Sequence, residues 1–492
     1  SLFAASVSSS TLMGHSGEGF ISGIAVFNYN VGAIFVIIFV SLFFLPFYIK
    51  SGIYTIPEYL GRRFDNRSRK YFSFITIIGN VFLDAGAALY TGALILKIIF
   101  PEIDMMWIII GMALMAGTYT IIGGLSSAIN ADMIQSIILI AGSVLLSIFC
   151  FNSVGGWENF VEHFHDGVWL NLIRPNSDTT VPWFSIFLSI PILGFYFWGN
   201  NQVIVQRVMS AKTVNEGRLG FLFVAFLYVF TLFIFIAPGM VGRMIDLFGV
   251  GDTLPNEIID GNTLRAQYGI DTNEVYPRLI LKLLPVGLIG VMIACMVSAL
   301  TSTLSATLSS VSTLFTMDFY KSWRPESSPR HLVRVGQWTS FIALVVAVLW
   351  APLIGKFASL VAYYQEFSSY LAPPIVGTFL VGLFWKGSTR NGAFAGLMSG
   401  LAMSALIMTY KFGFGGVVPF HFLLWVPILL ILSVLVNIIV SKCDRNKETD
   451  VETYTWNKSV WQDDTRELKT VPWYKNCIIR VLVVFLRKII NP

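Results

Sequence analysis

Between residues 283 and 317 the chain carries no charged side chain. A helix needs about 20 largely apolar residues to cross the hydrocarbon core of a bilayer, and this run is longer than that. Further uncharged runs lie at 31–49, 105–131, 133–157, 183–206, 219–242, 335–355, 367–385 and 391–410. Residues 71–96 join them if one intramembrane acid, Asp84, is accepted. Residues 8–27 contain Glu18, and 412–441 hold a span behind a Gly-rich entry. Residues 472–492, with Lys475, Arg480, Arg487 and Lys488, read as a weak last span or a helix lying at the interface. The reading is an all-α polytopic membrane protein with about twelve spans.

Composition agrees. The chain is 55% hydrophobic and 12% charged, against about 25% charged in soluble chains. In water such a surface would expose large apolar patches. That excludes an ordinary cytosolic enzyme, a disordered chain and a nucleic-acid binder. The four cysteines, Cys150, Cys295, Cys443 and Cys477, have neither metal nor disulfide spacing. His163 and His165, beside Asp166 in an outer loop, read as loop polars rather than a metal site. Residues 1–7 are already apolar with no basic leader, which is not a signal peptide. The expectation is a chain that starts inside a span, with an earlier helix missing.

Loop charge alternates. Lys50, Arg62, Arg63, Arg67, Arg69 and Lys70 share one loop, and every second loop after it is basic: Arg207/Lys212/Arg218, Lys321/Arg324/Arg330/Arg334 and Lys386/Arg390. The intervening loops carry Glu102/Asp104, then Glu158/Glu162/Asp166/Asp178, then Asp252/Glu257/Asp260/Asp271/Glu274. Cytoplasmic loops collect Lys and Arg, so the basic loops are expected inside a cell membrane.

Polar groups at membrane depth are costly and therefore candidates for function. Asp132, between two uncharged runs, reads equally as a structural acid or as a cation ligand. Asp84 lies mid-span and is neutral, paired or substrate-facing. A hydroxyl ladder (Ser298, Thr301, Ser302, Thr303, Ser305, Thr307, Ser309, Ser310) runs along one span. Its bland reading is helix–helix glue; its functional one is oxygen ligands for a hard cation. Poor helix continuity at residues 4–10 and at 191–194 suggests two broken helices roughly 190 residues apart. Each opens a set of about five spans, the pattern of an inverted-repeat transporter.

Several stretches, in order, resemble the sodium:solute symporters, and within them the sodium/glucose cotransporter branch. They are Ser1-Leu-Phe-Ala-Ala-Ser6, Gly52-Ile-Tyr-Thr-Ile-Pro-Glu-Tyr-Leu60, Tyr119-Thr-Ile-Ile-Gly-Gly-Leu-Ser126 and Gln202-Val-Ile-Val-Gln-Arg207. Beyond these come Ser312-Thr-Leu-Phe-Thr-Met-Asp318, Tyr364-Gln-Glu-Phe-Ser-Ser-Tyr370 and Gly382-Leu-Phe-Trp-Lys386. The resemblance implies a core of two inverted five-helix sets, residues 1–152 and 183–386, with alternating access. Extra helices at 391–441 complete a membrane domain over 1–441, and a cytoplasmic loop follows at 442–471.

The family's sodium site falls on backbone carbonyls of Ala4, Val7 and Ala299 and on the hydroxyls of Ser302 and Thr303. A second sodium would use Asp132, Ser302 and Ser305; the neighbouring family position, Ala306, has no hydroxyl. Solute positions fall on Thr11, Asn30, Asp84, Gly194, Tyr228 and Gln365, and the aromatic gate on Tyr196, Phe197 and Trp198. Only Gln365 matches the family's sugar ligands outright. Asp84 stands where members carry a neutral or basic residue.

The implied function is Na⁺-coupled symport, not catalysis. The cargo expected is a small polar solute such as glucose, galactose or myo-inositol. A monocarboxylate, amino acid, sialic acid or vitamin is the alternative, and a membrane enzyme or transporter-like sensor a remote one. The expected partners are the solute and the lipid bilayer, with no nucleic acid and no obligatory protein partner.

Overall fold

The computed structural model describes residues 2–444 and 454–456, apart from 52–54, 124, 166, 179, 210, 212, 252–253, 255–257 and 417–419. The weak last span expected at 472–492 lies outside the described residues. The described chain is almost wholly helical. Eight helical stretches are long and apolar enough to cross a membrane, and two sharply bent helix pairs raise the number to ten. The longest, Ser10–Ile49, has 40 residues, about twice a bilayer core at 1.5 Å per residue. It turns over at Gly23, whose φ of 66° suits glycine, and so crosses twice. With the shorter apolar helix Met105–Thr118, the expected spans are accounted for.

The order of elements repeats. A broken helix comes first: α1 (Leu2–Ser6) and α2 (Ser9–Ser22). Two spans interrupted by π-helix follow. In one, α3 (Phe27–Phe39) and α4 (Leu45–Ser51) flank the π-segment Val40–Phe44. In the next, α5 (Asn66–Ile78) and α6 (Gly86–Ile99) flank Gly79–Ala85. Two uninterrupted helices close the set, α7 (Met105–Gly123) and α8 (Leu125–Ser153).

The second set has the same order. Its broken helix is α9 (Trp183–Phe195), the π-segment Tyr196–Asn200 and α10 (Gln202–Met209). A π-segment, Leu232–Ile236, joins α11 (Val214–Val229) to α12 (Ala237–Met244). Next, α13 (Val286–Leu314) ends in the π-segment Phe315–Tyr320. The set closes with α14 (Pro329–Ile354) and α15 (Leu360–Phe384). Two extra helices follow, α16 (Arg390–Met408) and α17 (Phe422–Cys443).

The two sets run in opposite directions, because their loops separate onto two faces. On one, Arg63 donates to the carbonyls of Gly382 at 3.0 Å and Ser388 at 3.2 Å. Arg67 donates to Asn391 Oδ1 at 2.9 Å, and Arg69 pairs with Asp318 at 2.6 Å. These are the basic loops. On the other face, Arg174 donates to Ser22 O at 2.7 Å, Leu360 N donates to Asn273 Oδ1 at 3.0 Å, and the Arg243 guanidinium sits 4.5 Å over the Trp169 ring. These join the acidic loops. The first set starts at the basic face, where Leu2 meets Gly220; the second leaves the acidic face at Trp183.

One sequence expectation is corrected. The break placed at residues 191–194 is not there: Pro191 lies inside continuous α9. The chain breaks at Asn201, which is extended at ψ 121°, beyond a π-turn that had no sequence signature. Helices α16 and α17 close up through Gly392 and Gly396, while Gly400, one turn on, faces Pro374 of α15. A Cβ on Gly396 would lie 2.7 Å from the Ser433 carbonyl. Small residues let backbones approach in this way.

The first set is tied to the second at the basic face by Asp318. It is buried, accepts from Arg69 and receives the Ser73 hydroxyl. Removing one partner of a buried pair costs about 3 kcal/mol or more. Asp318→Ala is therefore expected to lower the melting temperature of the detergent-purified protein clearly; an unchanged melt would show that this pair does not hold α5 to the end of α13.

Candidate functional site

The first helix breaks because its sequence offers the backbone a competitor. Val7 N closes the last turn of α1 on Phe3 O at 2.8 Å. Ser8 is extended (φ −88°, ψ 169°) and its Oγ accepts from Thr11 N at 3.3 Å, capping α2. The amide that would have closed on the Val7 carbonyl is thereby taken. A helix C-terminus presents partial negative charge and an N-terminus partial positive charge. The break thus aims carbonyls of α1 and amides of α2 into the protein at membrane depth.

That break opens onto a cavity of about 220 Å³ between α2, α3, α6, α9, α11 and α15. All six expected solute residues line it: Thr11, Asn30, Asp84, Gly194, Tyr228 and Gln365. So do the three gate aromatics, Tyr196, Phe197 and Trp198. The Trp198 ring meets Phe197 at 5.3 Å and Tyr228 at 5.5 Å, both edge-on. Val7 and Thr303 stand in the same wall, so candidate ion and solute positions share one space.

On α13, Thr303 Oγ1 donates to the Ala299 carbonyl at 2.9 Å, which puts two candidate ion oxygens side by side. Ser302 lies one residue away and is half-buried; Ser305 is buried. These are hard oxygen donors of the type a small cation takes. The backbone of Ala4 lies in α1. Asp132 lies in α8, and its side chain is outside the described residues.

The π-segment Gly79–Ala85 carries Asp84. The widened turn needs a partner for a carbonyl, and Tyr363 Oη of α15 donates to Phe82 O at 2.8 Å while accepting from Trp350 Nε1 at 2.7 Å. Single-turn π-segments often occur at functional sites, and here one brings a carboxylate into the cavity wall.

Sequence reasoning missed His15. It lines the cavity and its Nδ1 lies 2.9 Å from the Thr11 carbonyl. The signal was present: an imidazole within a span is itself expensive. Tyr364 and Ser368 of α15 were also missed, as was Ser10, which bonds to Thr91 at 3.0 Å.

On the acidic-loop side, the outer half of α2 is packed backbone to backbone. A Cβ on Gly17 would lie 2.6 Å from Thr272 O, and one on Gly239 would collide with Ser16 O. Glu18, also on α2, is buried and bonded to Ser359.

A sequence profile of the sodium:solute symporter family matches residues 1–400. The chain belongs to the sodium:solute symporter family. Its members are sodium-coupled transporters, not enzymes. The chain is 31% identical over 477 residues to sodium/glucose cotransporter 1 of Oryctolagus cuniculus, covering 90% of this chain and 72% of that one. It is 33% identical over 431 residues to a sodium/mannose cotransporter of Bos taurus, covering 84% and 72%. Among solved structures, a substrate-bound, outward-open Na⁺-coupled sialic acid symporter superposes with a TM-score of 0.73 at 23% identity, covering 91% of this chain and 89% of that one. This likeness shows the shared fold, the inverted five-helix repeat.

Ala87 is buried in the wall beside Asp84. In this symporter Ala87→Trp should fill the cavity and abolish sodium-driven solute uptake into proteoliposomes while the protein still folds. Wild-type uptake by that variant would mean that the solute travels elsewhere.

Proposed function

We propose that this symporter carries a small hydroxylated solute, a sugar or polyol such as glucose, galactose or myo-inositol, together with Na⁺. The observation that carries this reading is the shared wall. Val7 and Thr303, expected to face the ion, line the cavity that the solute positions line. Its polar lining is mostly hydroxyls and amides, among them Ser10, Thr11, Asn30 and Gln365, which suit a hydroxylated molecule, with the Asp84 carboxyl and the His15 imidazole beside them. Among the described residues no Lys or Arg lines it, which disfavours an anionic cargo.

In the proposed cycle Na⁺ is held by the carbonyls of Ala4, Val7 and Ala299 and the hydroxyls of Ser302 and Thr303. It ties α1 to α13 and so favours the arrangement in which Thr11, Asn30, Tyr228 and Gln365 converge on the solute. Rocking of the helix sets parts α1 from α13 and releases both cargoes. Ion and solute must raise each other's affinity by the same factor, and each charge moved gains about 2.3 kcal/mol per 100 mV. The aromatic trio Tyr196, Phe197 and Trp198 gates the passage. The basic face is cytoplasmic, following the positive-inside rule, as is the loop at 442–471. The transport core comprises repeats at 1–152 and 183–386 within a membrane domain at 1–441. A second sodium would rest on Asp132, Ser302 and Ser305, and the steepness of the sodium titration reads it directly.

Ser302→Ala or Thr303→Ala is expected to raise the sodium concentration for half-maximal uptake by roughly tenfold, the effect of losing one ligand worth about 1.4 kcal/mol. Unchanged sodium dependence in both variants would remove the site. The solute is tested by sodium-dependent thermal stabilisation across sugars, polyols and organic acids; stabilisation by acids alone would overturn the sugar reading.

A further inference from the structure

One carboxyl group in the cavity wall is left without a partner. Asp84 lines it, and among the described residues it makes no hydrogen bond or ion pair. Among the described residues the only other ionisable group in the wall, tyrosines aside, is on His15, whose Nδ1 faces the Thr11 carbonyl. A carboxylate taken out of water is expensive unless something pairs with it, and no protein cation does so here.

The surroundings of Asp84 are specific. Tyr196 and Tyr364 line the same cavity, and Phe197, Trp198 and Tyr228 add further rings to its wall. Aromatic faces attract cations. In the same wall the Asn30 amide, 5% exposed, has a buried Nδ2–H group with no partner, so it is free to donate to an oxygen. The one wall therefore holds a carboxyl, several aromatic rings and an unspent amide donor, with Thr11 and Gln365 in the same lining. A neutral sugar would satisfy the donor and leave the carboxylate uncompensated.

Resting on the sugar-or-polyol reading above, we propose that the preferred solute carries a protonated nitrogen as well as hydroxyls, in the manner of an amino sugar, with its ammonium against Asp84 and its hydroxyls toward Asn30 and Gln365. Asp84 is then the residue that sets specificity. This chain reads charge where a neutral side chain would read only shape.

The test uses the whole protein in liposomes under an inward sodium gradient, with glucosamine, glucose and N-acetylglucosamine as competing cargoes. N-acetylglucosamine keeps the ring and the nitrogen but not the charge. Glucosamine should half-saturate uptake at about one tenth the concentration of either neutral sugar, and Asp84→Asn should abolish that preference. The wild-type comparison decides even if the variant fails to fold: equal or better use of glucose overturns the proposal. So does an Asp84→Asn protein that keeps the preference, or one that needs more sodium for all three sugars with their ratio unchanged, since Asp84 would then serve the ion. Sodium-driven uptake of none of the three, nor of galactose or myo-inositol, would instead overturn the sugar-or-polyol reading, and this inference with it.

Discussion

A backbone carbonyl at membrane depth has no water to turn to, so a helix can stop there only where something else answers its polar groups. The interruption between Ser6 and Ser9 obeys this rule. Ser8 answers the amide of Thr11, and Val7, whose carbonyl thereby loses that amide, lines a cavity that Thr303 also lines. Much of what surrounds the break supports it. The outer half of α2 is clamped by glycine-mediated backbone contacts, and α13 runs its hydroxyl face alongside.

The same rule explains the π-segments. They recur at matching places in the two helix sets, in the second and third span of each. Each widens a helix locally and releases backbone groups that a neighbour must meet, as Tyr363 meets Phe82 O. Paired irregularities of this kind reveal the repeat, although the two halves show no sequence similarity by eye. They also place chemistry: Asp84 lies in one such segment, and Asp318, which joins α5 to the end of α13, lies in another.

Much of this was legible in the sequence because membrane insertion leaves simple marks. Uncharged runs gave the spans. Alternating loop charge gave two faces, which the Arg63, Arg67 and Arg69 contacts bear out on one side. The first break was readable because Ser8-Ser-Ser10 is a cap signal. The second was not: Pro191 drew attention, yet a proline near mid-helix in a membrane protein can be accommodated by neighbours, and the chain breaks at Asn201 instead. π-segments have no composition of their own. His15 escaped notice beside Glu18, three residues on in the same span, and its place in the wall is visible only once α2 and α3 meet around the cavity.

In the proposed cycle the break is the coupling element, with ion and solute sharing one wall. Equilibrium binding of a sugar ligand to the purified protein, titrated at several sodium concentrations, tests this most directly. Sodium should tighten solute binding, and saturating solute should tighten sodium binding by the same factor. Solute affinity that stays the same whether sodium is present or replaced by potassium would contradict it.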